Sequence, residues 1–227
     1  MTRLAFLAGL ALATSAAAQS DAGVSKPVIA VLYFDVDDKL GDLTMFRKGL
    51  AEMLITDLVS AGDIDVVERA RIEDAMKELK LQSTKNFDQK TAVQVGGMVG
   101  AHYQVAGTIL RPSKNTLLLE SKIYRLLDMK VVVTARAKIT SDDILEGEQQ
   151  LVAKLVAGLA DTSKLALAVP PAKKSVKLKL DTAAKYGESL EARDAKDTAK
   201  AKTLLDQVVK EQPDFILARL DLAALAK

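Results

Sequence analysis

Val28-Ile29-Ala30-Val31-Leu32-Tyr33-Phe34 is an unbroken apolar run that ends at the acidic stretch Asp35-Val36-Asp37-Asp38. Without polar alternation, such a run predicts a strand buried on both faces. The period then lengthens. Leu43, Phe46, Leu50, Met53, Leu54 and Leu58 recur at helical spacing, and Ser60-Ala61-Gly62 closes that helix, with Gly62 in the expected C′ place. Ile64, Val66 and Val67 predict a second, short strand. Residues 68–81 follow as a charged amphipathic helix with Ile72, Ala75, Met76 and Leu79 on its buried stripe.

Farther along, Asp88 is placed to cap a helix that runs to Val99 and stops at Gly100. Strands are predicted over residues 103–110, 117–126 and 131–139, joined by the turns Pro112-Ser113-Lys114-Asn115 and Asp128-Met129-Lys130. In the last strand Val133, Ala135, Ala137 and Ile139 alternate with Thr134, Arg136 and Lys138, the pattern of an antiparallel strand with one wet face. Asp143 and Glu146 read as a capping box that opens a helix over residues 144–161. This order predicts an α/β fold, a mixed sheet with an antiparallel C-terminal meander flanked by helices. Val169-Pro170-Pro171-Ala172-Lys173-Lys174-Ser175 then interrupts all periodicity, and the rest is helical over residues 182–195, 198–211 and 215–226. The expected organisation is an α/β domain at 27–163, a linker at 164–180 and a small all-α segment at 181–227.

The first residues change where all of this must work. Arg3 supplies a positive n-region, residues 4–13 an apolar h-region, and Ala16-Ala17-Ala18 a small-residue cleavage site, so residues 1–18 read as a signal peptide cut before Gln19. The apolar run is too short for a spanning helix, which needs about 20 residues. No second long apolar run follows, so no transmembrane segment is expected once the signal is removed. The chain has no Cys, which excludes both a disulfide framework and a lipidated cysteine at the cleavage site. A periplasmic protein, exported and not a lipoprotein, is the expectation. A net charge of +2 and the absence of Trp argue against nucleic acid as a partner.

The pieces VIAVLYFDV, DIDVVERARIEDAMKELKLQ and VGGMVGAHYQVAGTI, in that order, resemble the CsgG-like family of curli-assembly proteins, related to TolB-like and FlgO-like (flagellar accessory) envelope proteins. The resemblance covers residues 27–161. It implies an accessory or transport role in the cell envelope. The chain departs from the family's curli pore in lacking Cys and in lacking long amphipathic hairpins. Each arm of a spanning hairpin needs about 9–11 alternating residues, and the turns after Leu110 and Leu127 offer no spare strands. Channel activity is therefore not implied. The C-terminal segment resembles a single tetratricopeptide repeat at Tyr186, Ser189, Leu190, Asp194, Asp197, Ala201, Leu204, Leu205, Val208, Pro213 and Phe215, with Ser189 where Gly is usual. Leu190 is expected against Ala201, Leu205 and Val208, with a last helix covering the open side through Leu217, Leu220 and Leu225. A lone repeat buries too little surface to stand by itself, since about three are needed, so it should dock on the first domain, another copy or a partner.

Each cluster with chemical potential has a structural counterpart. Asp35 and Asp37 follow a buried strand as the metal-binding pair of a Mg²⁺-dependent phosphatase would, but Lys39 and the lack of a later strand-borne Asp pair break that pattern. Gly96-Gly97-Met98-Val99-Gly100 ends a helix and enters a strand, the reverse of a phosphate loop, so helix packing and a C-cap account for it. His102, the sole histidine, reads as a surface residue at a strand edge. Glu68 and Arg69 suggest an ion pair clamping the strand-to-helix junction, and Lys173, Lys174, Lys177 and Lys179 a basic, solvated linker.

The expectation is thus a non-enzymatic accessory or scaffold protein of envelope or surface-appendage assembly, with no catalytic, cofactor or metal residues and no cofactor. It would bind protein partners of the envelope through Tyr186, Leu190, Leu205 and Phe215, with homo-oligomers left open. The alternative is a Mg²⁺-dependent phosphatase-like hydrolase using Asp35 and Asp37.

Overall fold

A computed structural model describes residues 26–36, 43–80, 89–171 and 176–226. The signal-peptide expectation for residues 1–18 lies outside these residues, as do Asp37, Asp38, Asp88, Lys173 and Lys174. In chain order the elements are β1 (Val28–Val31), β2 (Asp35–Val36), α1 (Thr44–Val59), β3 (Asp65–Val66), α2 (Arg69–Glu78), α3 (Gln89–Met98), β4 (Tyr103–Ser113), β5 (Thr116–Arg125), β6 (Lys130–Thr140), α4 (Ile144–Ser163), α5 (Leu180–Asp194), α6 (Thr198–Glu211) and α7 (Ile216–Ala224).

The strands form one six-stranded mixed sheet in the order β3-β1-β4-β5-β6, with β2 paired to β4. β1 runs parallel to β3 and β4, and β4, β5 and β6 form the antiparallel meander that the sequence predicts. Ile29 to Phe34 are all buried, as an apolar run without alternation requires. The acidic stretch after it is not wholly a turn: Asp35 and Val36 pair with Thr108 and Ile109 of β4. In β6 Val133, Ala135, Ala137 and Ile139 are buried while Thr134, Arg136 and Lys138 are exposed.

α4 covers the inner face of the meander at close range. A β-carbon on Gly147 would meet Ile139, and one on Gly158 would meet Val133. Asp143 caps α4, accepting the Glu146 N–H at 3.3 Å, while the Glu146 carboxylate turns to Gln150 instead of completing the box. On α3, a β-carbon at Gly96 would stand 2.4 Å from Leu126 Cδ1, and Gly100 takes φ +70°, so close packing and chain reversal account for those two glycines. Gly62 takes φ +114° two residues past the Ser60 C-cap of α1 and bridges to Leu167.

α1 departs most from a simple amphipathic reading. Its buried residues include Arg47, Lys48, Gly49 and Asp57 beside the expected Phe46, Leu50, Met53, Leu54 and Leu58. The helix is covered on both sides because α5 packs on it from outside the sheet layer. The linker is pinned at both described ends. The Ala168 N–H donates to the Ala61 carbonyl at 2.8 Å, the Ile144 N–H to the Leu178 carbonyl at 2.7 Å, and the Leu180 N–H to the Ser141 carbonyl at 2.8 Å. Leu178 is fully buried.

Candidate functional site

Where α5 crosses α1 the two backbones almost touch. A β-carbon on Gly187 would lie 1.8 Å from the Met45 carbonyl oxygen, and one on Gly49 would lie 2.9 Å from the Ala183 carbonyl oxygen. Only glycine on both helices permits this approach. It brings the last turn of α5 over the ends of β1 and α2, and three cations converge there. Lys48 Nζ reaches Asp194 Oδ2 at 2.7 Å, Glu191 Oε2 at 2.5 Å and Glu73 Oε2 at 3.3 Å. Arg69 grips Asp194 with both terminal nitrogens, Nη1 to Oδ2 at 2.6 Å and Nη2 to Oδ1 at 2.9 Å, and turns Nε to Glu52 Oε2 at 3.1 Å. Lys77 Nζ donates to the Asp194 carbonyl oxygen at 3.2 Å. Positive charge at a helix C-terminus is favourable, because the last carbonyls carry the negative end of the helix dipole.

Tyr33, from the end of the first apolar run, joins the cluster. Its hydroxyl donates to Glu73 Oε2 at 2.7 Å and accepts from Arg69 Nη1 at 3.2 Å, while Lys48 Nζ stands 5.4 Å from its ring centroid. Burial, helped by the neighbouring Glu73 carboxylate and opposed by Arg69, pushes the Tyr33 hydroxyl up, so it stays protonated. Burial also pushes the Asp194 carboxyl up, but hydrogen bonds from Arg69 and Lys48 outweigh it and hold the group below the ordinary carboxylate range. Lys48 and Arg69 are penalised by burial and then raised above their ordinary values by their carboxylate partners. Glu52 is the exception: burial raises it, and Arg69 only partly offsets that. The cluster therefore works as a closed set of ion pairs, with each charge answered by another across the α1–α2–α5 junction.

The expected Glu68–Arg69 clamp is not what forms. Glu68 is exposed and supplies its carbonyl oxygen to the start of α2, whereas Arg69 reaches along α1 and across to α5. Sequence reasoning also passed over Lys48, Glu52 and Glu73. The available signal was α1 itself, whose apolar residues (Ala51 and Ile55 beside the main stripe) cover more than one face and so imply packing on two sides.

Tyr186, Leu190, Leu205 and Phe215 come together, but inside the molecule. Tyr186 and Phe215 meet edge to face at 5.0 Å, and the Tyr186 hydroxyl donates to Asp221 Oδ2 at 2.8 Å. α5 and α6 form an antiparallel pair: Thr182 and Lys185 bind Glu211 at the end of α6, while Glu188 pairs with Lys200 near its start. Ser189 is buried, its hydroxyl donating to the Tyr186 carbonyl oxygen at 2.6 Å. Leu217 and Leu225 pack against the core as expected, but Leu220 does not. It is 62% exposed, as is Ile216 at 61%, so α7 turns one apolar edge to solvent.

Asp35 borders a cavity of about 110 Å³ with Leu32, Ala92, Ala106 and Tyr124, and Asp37 lies outside the described residues. Among the described residues no three His, Cys, Asp or Glu side chains gather as a metal site would require. His102 sits at a strand end as expected, its Nδ1 accepting the Val28 N–H at 2.8 Å. Among the described residues no helix is long and apolar enough to cross a membrane.

The family model described as curli production assembly/transport component CsgG matches residues 11–116, just under half of the chain. That stretch runs from the apolar N-terminal segment to the start of β5. No curated protein matches the chain. Among solved structures, it is similar to the LpoB C-terminal domain from Salmonella enterica at 16% identity and TM-score 0.40, covering 53% of this chain and 87% of that one. It is similar to TolB from Acinetobacter baumannii at 16% identity and TM-score 0.41, covering 60% and 28%. A PelC dodecamer from Paraburkholderia phytofirmans shows 14% identity and TM-score 0.37, covering 60% and 90%.

Proposed function

We propose that this chain is a non-enzymatic accessory protein of cell-envelope assembly or transport, exported to the periplasm and working by binding protein partners. The match of residues 11–116 to the CsgG family supports the envelope theme. The observation that carries the non-enzymatic part is the charge cluster. At the helix crossing Lys48, Arg69, Asp194 and Glu73 answer one another's charge. Groups engaged in that way hold a structure together instead of facing a substrate. In this reading an α/β body over residues 27–163 carries a repeat-like helical segment over 181–227. Partners meet that segment on the exposed edge of α7, beside the buried Tyr186, Leu190, Leu205 and Phe215 rather than on those side chains.

The test is site-specific photocrosslinking in cells. A photoreactive residue at Leu220 should give a discrete protein adduct that the same residue at Lys138 on the open sheet face does not. The double variant Ile216→Asp, Leu220→Asp should keep its thermal unfolding unchanged and lose function in a strain dependent on it. Mg²⁺-dependent turnover of phosphate esters by the purified chain, abolished by Asp35→Asn, would overturn the non-enzymatic reading.

A further inference from the structure

The turn between β5 and β6 holds out Leu127, at 93% the most exposed large apolar side chain among the described residues. A lone exposed leucine is ordinary on a protein surface. This one is fixed in place. Arg125 closes the turn on Asp128, Nε to Oδ1 at 2.9 Å and Nη2 to Oδ2 at 2.7 Å, and the Lys130 N–H adds a contact to Oδ1 at 3.4 Å. Met129 takes φ +55°, which completes the reversal. Leu126, the preceding residue, is committed inward: its side chain fills the space left by Gly96 of α3, and its N–H donates to the His102 carbonyl at 2.9 Å. Half-buried Leu126 therefore anchors the turn from which Leu127 projects.

The surroundings specify what such a tip suits. Arg125 and Lys130 are paired across the strands directly behind it, and the single carboxylate between them, Asp128, is shared by both, so the tip is apolar at its point and net positive at its base. Leu127 and Arg125 also line an open groove of about 510 Å³, together with Pro27, Ala101, Tyr103 and Leu126. A protein partner would need a socket to enclose one convex leucine. A bilayer surface needs no socket, since acyl chains close around an inserted side chain while anionic headgroups meet the flanking cations.

We propose that this end of the molecule rests on an anionic lipid surface, with Leu127 inserted among the acyl chains and Arg125 and Lys130 against the lipid phosphates. The inference does not depend on the envelope-assembly reading, because purified protein and lipid suffice to test it. The chain contains no Trp, so Leu127→Trp introduces the sole indole. With the exported form beginning at Gln19, which lacks the apolar residues 4–13, and vesicles of phosphatidylcholine and phosphatidylglycerol, its emission should shift to the blue and be quenched by acyl-brominated lipid. Leu220→Trp on α7 should show neither effect, which separates docking of this end from general adhesion of the protein to the vesicles. Without any indole, Leu127→Asp should lower the vesicle-bound fraction by about tenfold, the loss expected from one inserted leucine. Its circular dichroism and thermal unfolding should be unchanged, because the side chain is almost wholly exposed. Equal quenching at the two positions, or no shift at Leu127→Trp, overturns the proposal. So does a blue shift that grows with protein concentration in the absence of lipid, which would assign the tip to a second copy of the chain.

Discussion

Against α6 and α7, helix α5 presents Tyr186 and Leu190 to Leu205, Val208 and Phe215, whereas against α1 it presents bare backbone at Gly187 and charge at Glu191 and Asp194. The first contact follows the rule of helical pairs, a stripe of apolar side chains whose partners recur at every turn. The second depends on two glycines that let helices approach to backbone contact and on ion pairs that seal the rim. The two differ in how they fail. An apolar interface loses stability gradually as side chains are trimmed, while a glycine crossing or a buried ion pair fails as soon as one member is changed.

The largest expected effect is therefore at the crossing. In Gly187→Val the new β-carbon would overlap the Met45 carbonyl oxygen, a backbone atom that no rotamer can move aside. The variant should lose at least about 3 kcal/mol in urea unfolding. Trypsin should then cut faster at Lys177 and Lys179, because α5 no longer holds the segment around buried Leu178. Gly49→Ala, where the nearest atom would stand at 2.9 Å, should fall well short of that. Equal and small losses for both would mean that the helices can slide apart, and the crossing would not be the rigid join argued above.

Removing the keystone of the ion cluster comes next. Asp194→Ala leaves Lys48 and Arg69 buried and short of a partner, which should cost about 3–5 kcal/mol. The combination Arg69→Met, Asp194→Leu should cost less than its two single changes summed, by at least about 1 kcal/mol, since the second change removes the charge stranded by the first. Additive losses would show that the two side chains do not act as a unit. On the apolar side, Leu205→Ala should cost about 2–4 kcal/mol by leaving a cavity between α5 and α6, while the crossing to α1 stays intact. The sign that distinguishes the two interfaces is proteolysis: relative to the parent, trypsin cleavage at Lys177 and Lys179 should be unchanged in Leu205→Ala and faster in Gly187→Val.

The same contrast explains what could be read from the amino-acid sequence. The mixed sheet, its antiparallel end and the bounds of α6 were legible because alternation and helical spacing report burial directly. The burial of Leu190, Leu205 and Val208 was legible for the same reason. The join between the α/β body and the helical segment was not. Glycine carries no hydrophobic signal, so Gly49 and Gly187 look alike whether they face water or another helix. Charged residues read as solvent-facing by default, and nothing local says that Lys48, Arg69 and Asp194 will meet from three separate helices. The same default suggested Glu68 as the partner of Arg69, because it was the nearest carboxylate in sequence. Leu220 failed in the opposite direction: its place in the α7 periodicity implied burial, and the helix has too little of the core beneath it to cover that position.

Acid titration offers the smallest effect and the finest test of the cluster, because its two carboxylates on Arg69 should pull in opposite directions. Asp194 is held below its ordinary value by Arg69 and Lys48 in spite of burial. Its contribution is therefore present above the unfolded value of about 3.9 and is lost as pH falls through the lower folded value. Glu52 is raised by burial, and Arg69 only partly offsets that, so holding it ionised at neutral pH costs stability. As pH falls through its folded value toward the unfolded value of about 4.3, the folded state takes up the proton first and stability rises. Glu52→Gln should then be slightly more stable than the parent at pH 7, by at most about 1 kcal/mol because the group is partly exposed, and the advantage should vanish by about pH 4.5. Asp194→Asn should show the reverse, a deficit at pH 7 that closes only below about pH 4. Urea midpoints taken across that range decide the matter. If both variants track the parent in parallel, Arg69 does not divide its charge between the two carboxylates, and the ion cluster must be reduced to the Asp194 grip alone.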